Sequence, residues 1–254
     1  MTALRIELVP CLTDNYAYLV HDADAGLTAV VDPSEPEPVI QALNRQGWKL
    51  THILNTHHHF DHTGGNVPLK EKFAARVVGP EKDRERIPGI DEGVTEAAPW
   101  TFGARQVPVL EIPAHTRAHI AFVFDDAVFT GDTLFAMGCG RLFEGTPAMM
   151  WTSLSKLTAL ADATRVYCGH EYTQSNGRFA LTLEPGNAAL VARMREVDAA
   201  RAKGLATIPS TIGLEKKTNP FLRVDSSEIR QALGLAHADA VEVFGEMRKR
   251  KDNF

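Results

Sequence analysis

The chain has 254 residues, of which 44% are hydrophobic and 23% are charged. These proportions are typical of a globular protein and exclude a disordered chain, a collagen-like chain and a coiled-coil rod. The formal net charge of −5 gives no overall electrostatic reason to bind nucleic acid or an anionic membrane. We therefore expect neither partner, and we expect a monomer.

The cysteines and the N-terminus predict a cytoplasmic protein. Cys11, Cys139 and Cys168 are too few and too scattered to build a disulfide framework. The first residues lack the basic, apolar and small-residue regions of a secretory signal, and no apolar run approaches the ~20 residues that cross a bilayer. Because neither Cys139 nor Cys168 has a histidine or basic neighbour that singles it out, we interpret both as packed thiols.

Strand signals dominate the first two thirds of the chain, and helices occur between them. A helix is predicted from the spacing of Val39, Ile40, Leu43 and Trp48, and another over 147–161. The predicted strands cover 5–9, 16–21, 28–32, 50–55, 76–78, 105–112, 120–124, 128–130 and 165–168. This alternation indicates α and β elements packed in layers.

After Glu171 helical signals dominate instead. The predicted helices cover 174–183, 187–203, 226–233 and 239–251. Acidic residues outnumber basic ones in residues 1–170, whereas basic residues slightly outnumber acidic ones in 171–254. We therefore predict an α/β domain over 1–170 and a small all-helical domain over 171–254.

The most informative feature is a histidine run at the end of the predicted strand 50–55. Residues i and i+2 of an extended segment point to one side, so His57 and His59 are expected to converge on one ion. The turning backbone leaves Asp61 and His62 for a neighbouring site, while His58 points away. Imidazole and carboxylate ligands without a thiolate suit catalytic Zn, Fe or Mn.

Three isolated residues at strand-to-loop junctions supply further ligands. They are His115, Asp132 and His170, and each lies near a Gly or Pro where the backbone turns sharply. Asp132 is the expected bridge, because a carboxylate can reach two metals ~3.5–4 Å apart. Taken alone, either histidine is better explained as a hydrogen-bonded structural residue and Asp132 as a turn former; together with the run they favour metal. The remaining histidines, His21, His52, His119 and His237, are interpreted as surface or core residues.

Thr56-His-His-His-Phe-Asp-His62 resembles the metal-binding signature of the metallo-β-lactamase superfamily. The stretches 131–141, 144–146, 169–173, 209–212 and 218–223 further resemble the hydroxyacylglutathione hydrolase (glyoxalase II) family, over nearly the whole chain. The resemblance implies an αββα sandwich followed by a helical substrate-binding domain. It also implies a first metal on His57, His59 and His115, a second on Asp61, His62 and His170, and Asp132 as the bridge.

The resemblance implies hydrolysis of S-D-lactoylglutathione and related S-2-hydroxyacylglutathiones to glutathione and D-lactate, the second step of methylglyoxal detoxification. A hydroxide bridging the two metals, held by Asp132 and Asp61, is the expected nucleophile, since metal coordination lowers the pKa of water to about 7. The departing thiol, with a pKa of about 8.5, leaves as thiolate without a strong general acid. We expect two divalent ions, zinc first, with iron or manganese also possible.

The resemblance further assigns Arg248 and Lys251 to the glycine carboxylate of glutathione, with Arg141 and Tyr172 nearer the metals. Spaced three apart, Arg248 and Lys251 share one helix face. Many relatives have Lys at 141 and Tyr at 143, so Arg141 changes the donor geometry and Phe143 is expected to give a shape contact only. Segment 114–119 also carries Ala and Arg where the family commonly has Gly or Ser.

Three alternatives stay open. A mononuclear iron persulfide dioxygenase of the same superfamily shares the histidine signature and a thiol substrate, but it would lack the long helical tail. A secreted β-lactamase is disfavoured because its substrates would not need the basic residues of the predicted helix 239–251. A nuclease-like or nucleic-acid-binding relative is disfavoured by the charge and by the lack of aromatic residues within a basic stripe.

Overall fold

The computed structural model describes residues 2–254, which form two compact units. The first comprises residues 2–111, 118–125 and 129–131, and the second comprises 112–117, 126–128 and 132–254. Within the described residues, no helix has the length and apolar character needed to cross a bilayer. The predicted mixture of strands followed by a helix-rich C-terminal region is confirmed.

The first part of the chain builds a six-stranded sheet with strands in sequential order. Its elements are β1 (Arg5–Cys11), β2 (Asn15–Asp22), β3 (Leu27–Val31), α1 (Pro36–Gln46), β4 (His52–Leu54), α2 (Phe60–Thr63), α3 (Asn66–Phe73), β5 (Arg76–Pro80), a 3-10 helix (Glu81–Asp83) and β6 (Glu92–Val94). The strands β1, β2 and β3 are antiparallel, whereas β3 to β6 are parallel. Since parallel strands share a carboxyl edge, the loops after β3 and β4 leave the sheet side by side.

Strands β3 and β4 lie in the apolar core of the first unit. Val30 in β3 and Ile53 in β4 are fully buried and pack with Leu43 and Val39 of α1. Gly47 follows the last residue of helix α1 and has a φ of +68°, the left-handed conformation that commonly closes a helix. This packing holds the strand ends from which the histidine run begins.

The remaining elements follow the same chain order. They are β7 (Trp100–Phe102), β8 (Arg105–Val107), β9 (Val109–Glu111), β10 (Ile120–Phe124), β11 (Ala127–Gly131), β12 (Leu134–Phe135), β13 (Gly138–Cys139), α4 (Pro147–Thr158), β14 (Arg165–Cys168), α5 (Thr173–Leu183), α6 (Ala188–Arg201), β15 (Ser210–Thr211), α7 (Ile212–Thr218), a 3-10 helix (Pro220–Leu222), α8 (Ser227–Leu233) and α9 (Ala240–Asp252). A second sheet has the strand order β15-β14-β11-β10-β9. The strand predicted over 105–112 is two strands, because Pro108 between them has no N–H to donate to a ladder.

Helices dominate the second unit beyond residue 171. Leu190, Met194 and Val197 of α6 form an apolar stripe that packs with Ala180 of α5 and with Met137. The two-residue strand β15 is the one extended element of this region among the described residues, and it pairs antiparallel with β14. The helical region therefore packs around its own small core.

Candidate metal centre

The chain leaves the core at the end of β4 and enters the loop that carries the histidine run. Thr56 is held there by the carboxylate of Asp32, which accepts hydrogen bonds from the Thr56 backbone N–H at 2.8 Å and from its hydroxyl at 2.7 Å. Asp32 directly follows β3, is buried, and has a φ of +48°. The neighbouring ends of β3 and β4 are thus tied together where the loop begins.

His57 and His59 turn their rings toward one point. The Nε2 atom of His57 lies 3.1 Å from the Nδ1 atom of His59. His57 is fully buried, and its ring stacks on the ring of His119 with the centroids 4.6 Å apart. His119 is therefore a core histidine, as expected. The convergence expected from i, i+2 spacing is present.

Asp61 and His62 lie on the single turn of α2 and form a second pair. The Oδ2 atom of Asp61 is 3.5 Å from Nε2 of His62. On the other side of the ring, Nδ1 of His62 is 3.1 Å from Oδ2 of Asp32. Asn15 donates to the side-chain oxygen of Asp61 at 3.0 Å and to its backbone carbonyl at 3.1 Å. Both members of this pair are thus held by side chains outside the run.

His58 contacts a different set of residues, as predicted. Its Nδ1 atom lies 2.9 Å from a carboxylate oxygen of the buried Asp83, and its Nε2 atom lies 3.2 Å from Arg86. Arg86 also donates to Asp83. This histidine therefore secures the loop to the segment that follows β5.

In the second unit two of the isolated candidates, His115 and His170, face one carboxylate oxygen of the third, Asp132. Oδ2 of Asp132 is 3.5 Å from Nε2 of His115 and 3.3 Å from Nε2 of His170. All three residues are buried. The ring of His170 stacks nearly parallel on the ring of Tyr172, at 4.6 Å and 5°. A carboxylate placed between two imidazoles is the arrangement that a bridging ligand requires.

The hydrogen bonds behind these rings fit a bound cation. Nδ1 of His115 faces the backbone carbonyl of Arg141 at 3.0 Å, and Nδ1 of His62 faces Asp32. Because a carbonyl or carboxylate oxygen only accepts, the proton is on Nδ1 in both rings and Nε2 presents a lone pair. Those lone pairs face the carboxylate oxygens of Asp61 and Asp132, and a divalent cation binds favourably between an imidazole lone pair and a carboxylate oxygen. The ligand atoms of Asp32, His57 and His62 also lie within 4.8 Å of one another.

Three of the predicted glutathione-binding residues lie near His115 and His170. The Phe143 side chain is 61% exposed and its ring centroid is 5.2 Å from that of His115. Arg141 is mostly exposed, with Nε 3.8 Å from Asp252. Tyr172 lies against His170. The exposed guanidinium and the exposed ring are available to a ligand.

Arg248 and Lys251 occupy different environments on α9. Arg248 is buried: it donates to the Cys139 carbonyl at 2.7 Å, and Nη2 lies 2.9 Å from Asp252. Lys251 is half-buried and donates to the Ser175 hydroxyl at 3.0 Å. Burial, together with the positive charges of Arg248 and Arg141, lowers the pKa of Lys251 to about 8, and Asp252 opposes the shift. Lys251 is thus a cation whose charge depends on pH near neutrality.

The cysteines are packed thiols. All three are buried and none forms a disulfide. Burial raises the pKa of Cys11 and Cys139 to about 11 and that of Cys168 to about 12. Because the thiolate is the nucleophile, these residues are unreactive at neutral pH, which agrees with the interpretation of Cys139 and Cys168 from the sequence.

Two residues at the site were not predicted. The sequence places Asp32 only at the end of the predicted strand 28–32 and Asn15 only before the predicted strand 16–21. The available signal was weak: an acidic residue directly after a buried apolar strand, on a strand parallel and adjacent to the one that carries the histidines. Recognising it requires knowing that β3 and β4 are neighbours.

Comparisons with known proteins agree with this fold and site. Residues 12–170 match the family model of the metallo-beta-lactamase superfamily. The crystal structure of ETHE1 from Myxococcus xanthus superposes with a TM-score of 0.69 at 26% identity, covering 98% of this chain and 90% of that one. The fold and the histidine and aspartate clusters therefore define a member of the metallo-β-lactamase superfamily, and the expected αββα architecture is confirmed.

The C-terminal region narrows the assignment. Residues 171–254 match the family model described as hydroxyacylglutathione hydrolase C-terminus. The hydroxyacylglutathione hydrolases of Methylococcus capsulatus and Ruegeria pomeroyi are each 53% identical over 253 residues, covering 99% of this chain and 99% of theirs. The chain belongs to the hydroxyacylglutathione hydrolase family and is a metal-binding hydrolase. The persulfide dioxygenase alternative is less well supported.

Proposed function

We propose that this hydrolase cleaves S-D-lactoylglutathione and related S-2-hydroxyacylglutathiones to glutathione and D-lactate, the second step of methylglyoxal detoxification. The full-length identity to enzymes named hydroxyacylglutathione hydrolase supports the substrate class. The observation that carries the chemistry is Asp132, whose one oxygen lies within 3.5 Å of two imidazole nitrogens. That geometry favours a shared metal ligand over a structural ion pair.

Two divalent ions complete the proposed site, zinc first, with iron or manganese as alternatives that imidazole and carboxylate also accept. His57, His59 and His115 would hold the first ion, Asp61, His62 and His170 the second, and Asp132 both. When bound, the ions would supply a water of lowered pKa and Lewis acidity at the thioester carbonyl. The proton placement at His62 and His115, set by Asp32 and the Arg141 carbonyl, supports their role as ligands.

The protein's own residues have positioning roles in this proposal. Arg141 and Lys251 place positive charge toward the carboxylates of glutathione, while Phe143 and Tyr172 give apolar surface beside the ligands. Arg248 holds the backbone at Cys139 and is partnered by Asp252, so its contribution to binding combines charge with loop geometry. Thiolate departure needs no strong acid, and no further side chain is assigned as a proton donor.

The proposed organisation is a catalytic domain over 1–170 and a glutathione-thioester-binding domain over 171–254, which the limits of the two family models support. We further propose a monomeric, cytoplasmic enzyme. The three buried reduced cysteines support a reducing compartment. Neither nucleic acid nor a membrane is part of the proposal.

The test is thioester hydrolysis by purified, metal-loaded protein on S-D-lactoylglutathione, beside D-lactoyl-coenzyme A and a panel of other glutathione thioesters. We expect hydrolysis of the glutathione thioester with about two divalent ions per chain. Asp132→Ala should lose at least about 100-fold in kcat together with bound metal, because it removes the shared ligand. Asp162→Ala removes an exposed carboxylate and should change neither. No hydrolysis by fully loaded protein, or one iron per chain with oxygen uptake on glutathione persulfide, would refute the proposal.

A further inference from the structure

The hairpin of β12 and β13 lies between two residues of the proposed site. Asp132 precedes it and Arg141 follows it. Each strand has two residues, and the turn contains Met137 at a φ of +54°. A hairpin this short is not stable by itself. Its position must therefore be set by contacts with the rest of the unit.

Two buried side chains of the helical region hold the hairpin by its backbone. Asn219 donates to the carbonyls of Phe135 at 3.1 Å and Gly138 at 2.9 Å. Glu215 of α7 accepts the Met137 backbone N–H at 2.8 Å. Asn219 and Glu215 are fully buried, and the amide nitrogen of Asn219 donates to a carboxylate oxygen of Glu215 at 3.0 Å. Together they contact three of the four residues from 135 to 138.

Asn176 of α5 holds the fourth residue. Its side-chain amide donates to the Ala136 carbonyl at 3.1 Å. The fit leaves no space, since a Cβ added at Gly138 would lie 2.4 Å from the amide nitrogen of Asn176. We call Asn176, Glu215 and Asn219 the hairpin clamp.

The clamp is itself fixed in one orientation. Oδ1 of Asn219 accepts the Phe221 backbone N–H at 3.1 Å, so its amide nitrogen must face the hairpin carbonyls. Arg193 lies 2.6 Å from the other carboxylate oxygen of Glu215, which also accepts from Ser210. A network satisfied in this way has a single low-energy arrangement.

The hairpin transmits its position to the site through its C-terminal end. The Cys139 carbonyl accepts from Arg248, and the Arg141 carbonyl accepts from Nδ1 of His115. A shift of the hairpin therefore moves the Arg141 side chain and the backbone partner of Arg248 together. Asp132 has a separate anchor, because the neighbouring Thr133 hydroxyl donates to the Ile112 carbonyl at 3.2 Å.

We propose that Asn176, Glu215 and Asn219 are positioning residues for glutathione binding, acting through the β12-β13 hairpin on Arg141 and Arg248. The inference rests on the proposed function. It also gives a role to the stretches 209–212 and 218–223, in which Ser210 and Asn219 lie. Because Asp132 is anchored through Thr133, and the backbone beside His115 is anchored where the Ser153 hydroxyl donates to the Pro113 carbonyl at 2.7 Å, the clamp controls substrate affinity more than the chemical step.

The test is Asn219→Asp, which keeps the shape and turns a donor into an acceptor facing two carbonyls. We expect KM for S-D-lactoylglutathione to rise on the order of tenfold with kcat within about twofold. Calorimetry with S-methylglutathione, which is not hydrolysed, should show affinity weakened by the same factor. Asn176→Asp, with a single hairpin contact, should give a smaller effect in the same direction and covers the case in which Asn219→Asp does not fold.

Asn187→Asp is the matched control. Asn187 donates to Glu184 and to the Lys217 carbonyl and touches no part of the hairpin. It should lower the melting temperature without changing KM or S-methylglutathione affinity. Equal weakening in the control, or unchanged affinity in both clamp variants, would overturn the inference. If wild type neither hydrolyses nor binds glutathione compounds, the proposed function fails. Hydrogen exchange of the Met137 backbone amide then tests whether the clamp holds the hairpin. The exchange rate must be higher in Asn219→Asp than in Asn187→Asp.

Discussion

Lys251 shows how one side chain acquires a property that its sequence position does not reveal. An exposed lysine stays charged far above neutral pH, but Lys251 is half-buried between the rings of Phe179 and Phe254 and lies near two arginines. Both conditions disfavour the ammonium, so its pKa falls to about 8. The run of basic residues 248–251 predicts a cation at this position, but not one that titrates near pH 8.

We expect substrate affinity to depend on this titration. Below pH 8 Lys251 is protonated and attracts an anionic thioester, and above pH 8 that attraction is lost. The guanidinium of Lys251→Arg stays charged, so this variant is the reference. The ratio of wild-type kcat/KM to that of Lys251→Arg should be constant below about pH 7 and fall roughly fivefold by pH 9.5. That factor corresponds to the loss of about 1 kcal/mol from one charged contact. Arg248, Arg141 and Asp252 are the other charged groups around it.

The measurement is kcat/KM across pH for wild type, Lys251→Arg and Lys251→Ala. This parameter reports groups of the free enzyme, and the ratio between variants removes the titration of the substrate and of any bound water. Wild type should approach Lys251→Ala at high pH. A ratio of wild type to Lys251→Arg that does not change from pH 6.5 to 9.5 would contradict the expectation.

Elements with a regular apolar pattern were predictable, and elements shaped by their surroundings were not. The predicted strands 120–124 and 165–168 agree with β10 and β14 to the residue. Helix α3 was missed because only Asn66 and Leu69 are buried and Pro68 lies in its first turn, so no apolar stripe appears. Helix α7 was missed because two of its three buried residues, Glu215 and Thr218, are polar, so its buried face shows no apolar stripe.

Strand β11 ends at a glycine that the neighbouring loop requires. Gly131 has a φ of +46°, and a Cβ there would lie 2.3 Å from the Thr56 hydroxyl and 2.8 Å from the His119 ring. The sequence predicted a sharp turn before Asp132, but not the close approach of Thr56. The end of this strand and the start of the histidine loop are therefore packed too tightly for a side chain.

Gly131→Ala should therefore lower the free energy of unfolding by about 2–4 kcal/mol, since steric overlap adds to backbone strain. Gly204→Ala is the control, because Gly204 has a φ of +70° with nothing within 4 Å of the added Cβ. It should lose only about 1 kcal/mol. Urea unfolding of both variants measures the difference. Equal losses would mean that the contact with Thr56 and His119 relaxes at little cost.

At the scale of the whole molecule, the proposed metal ligands come from one local run and three distant residues. The run from His57 to His62 is recognisable in the sequence because its four candidate ligands lie within six positions. His115, Asp132 and His170 became candidates only through that run, and Asp32, Asn15 and the hairpin clamp were not found, because their roles depend on which segments meet in the fold. The net charge of −5 likewise averages an acidic region suited to dications and a slightly basic region suited to an anionic substrate.

Metal should therefore stabilise the whole chain, since the ligand set forms only in the folded state. An ion at 100 times its Kd adds about 2.7 kcal/mol per site, and for a chain of this length about 1 kcal/mol raises Tm by roughly 2–4 °C. We expect calorimetry to show Tm at least about 5 °C higher with zinc than with chelator. His57→Ala should lose much of that increment, whereas the exposed His237→Ala should keep it. Because each increment is the difference in Tm between zinc and chelator for the same variant, the stability lost to a cavity in His57→Ala cancels. An increment that is the same in His57→Ala as in wild type would show that zinc stabilises the protein at some other site.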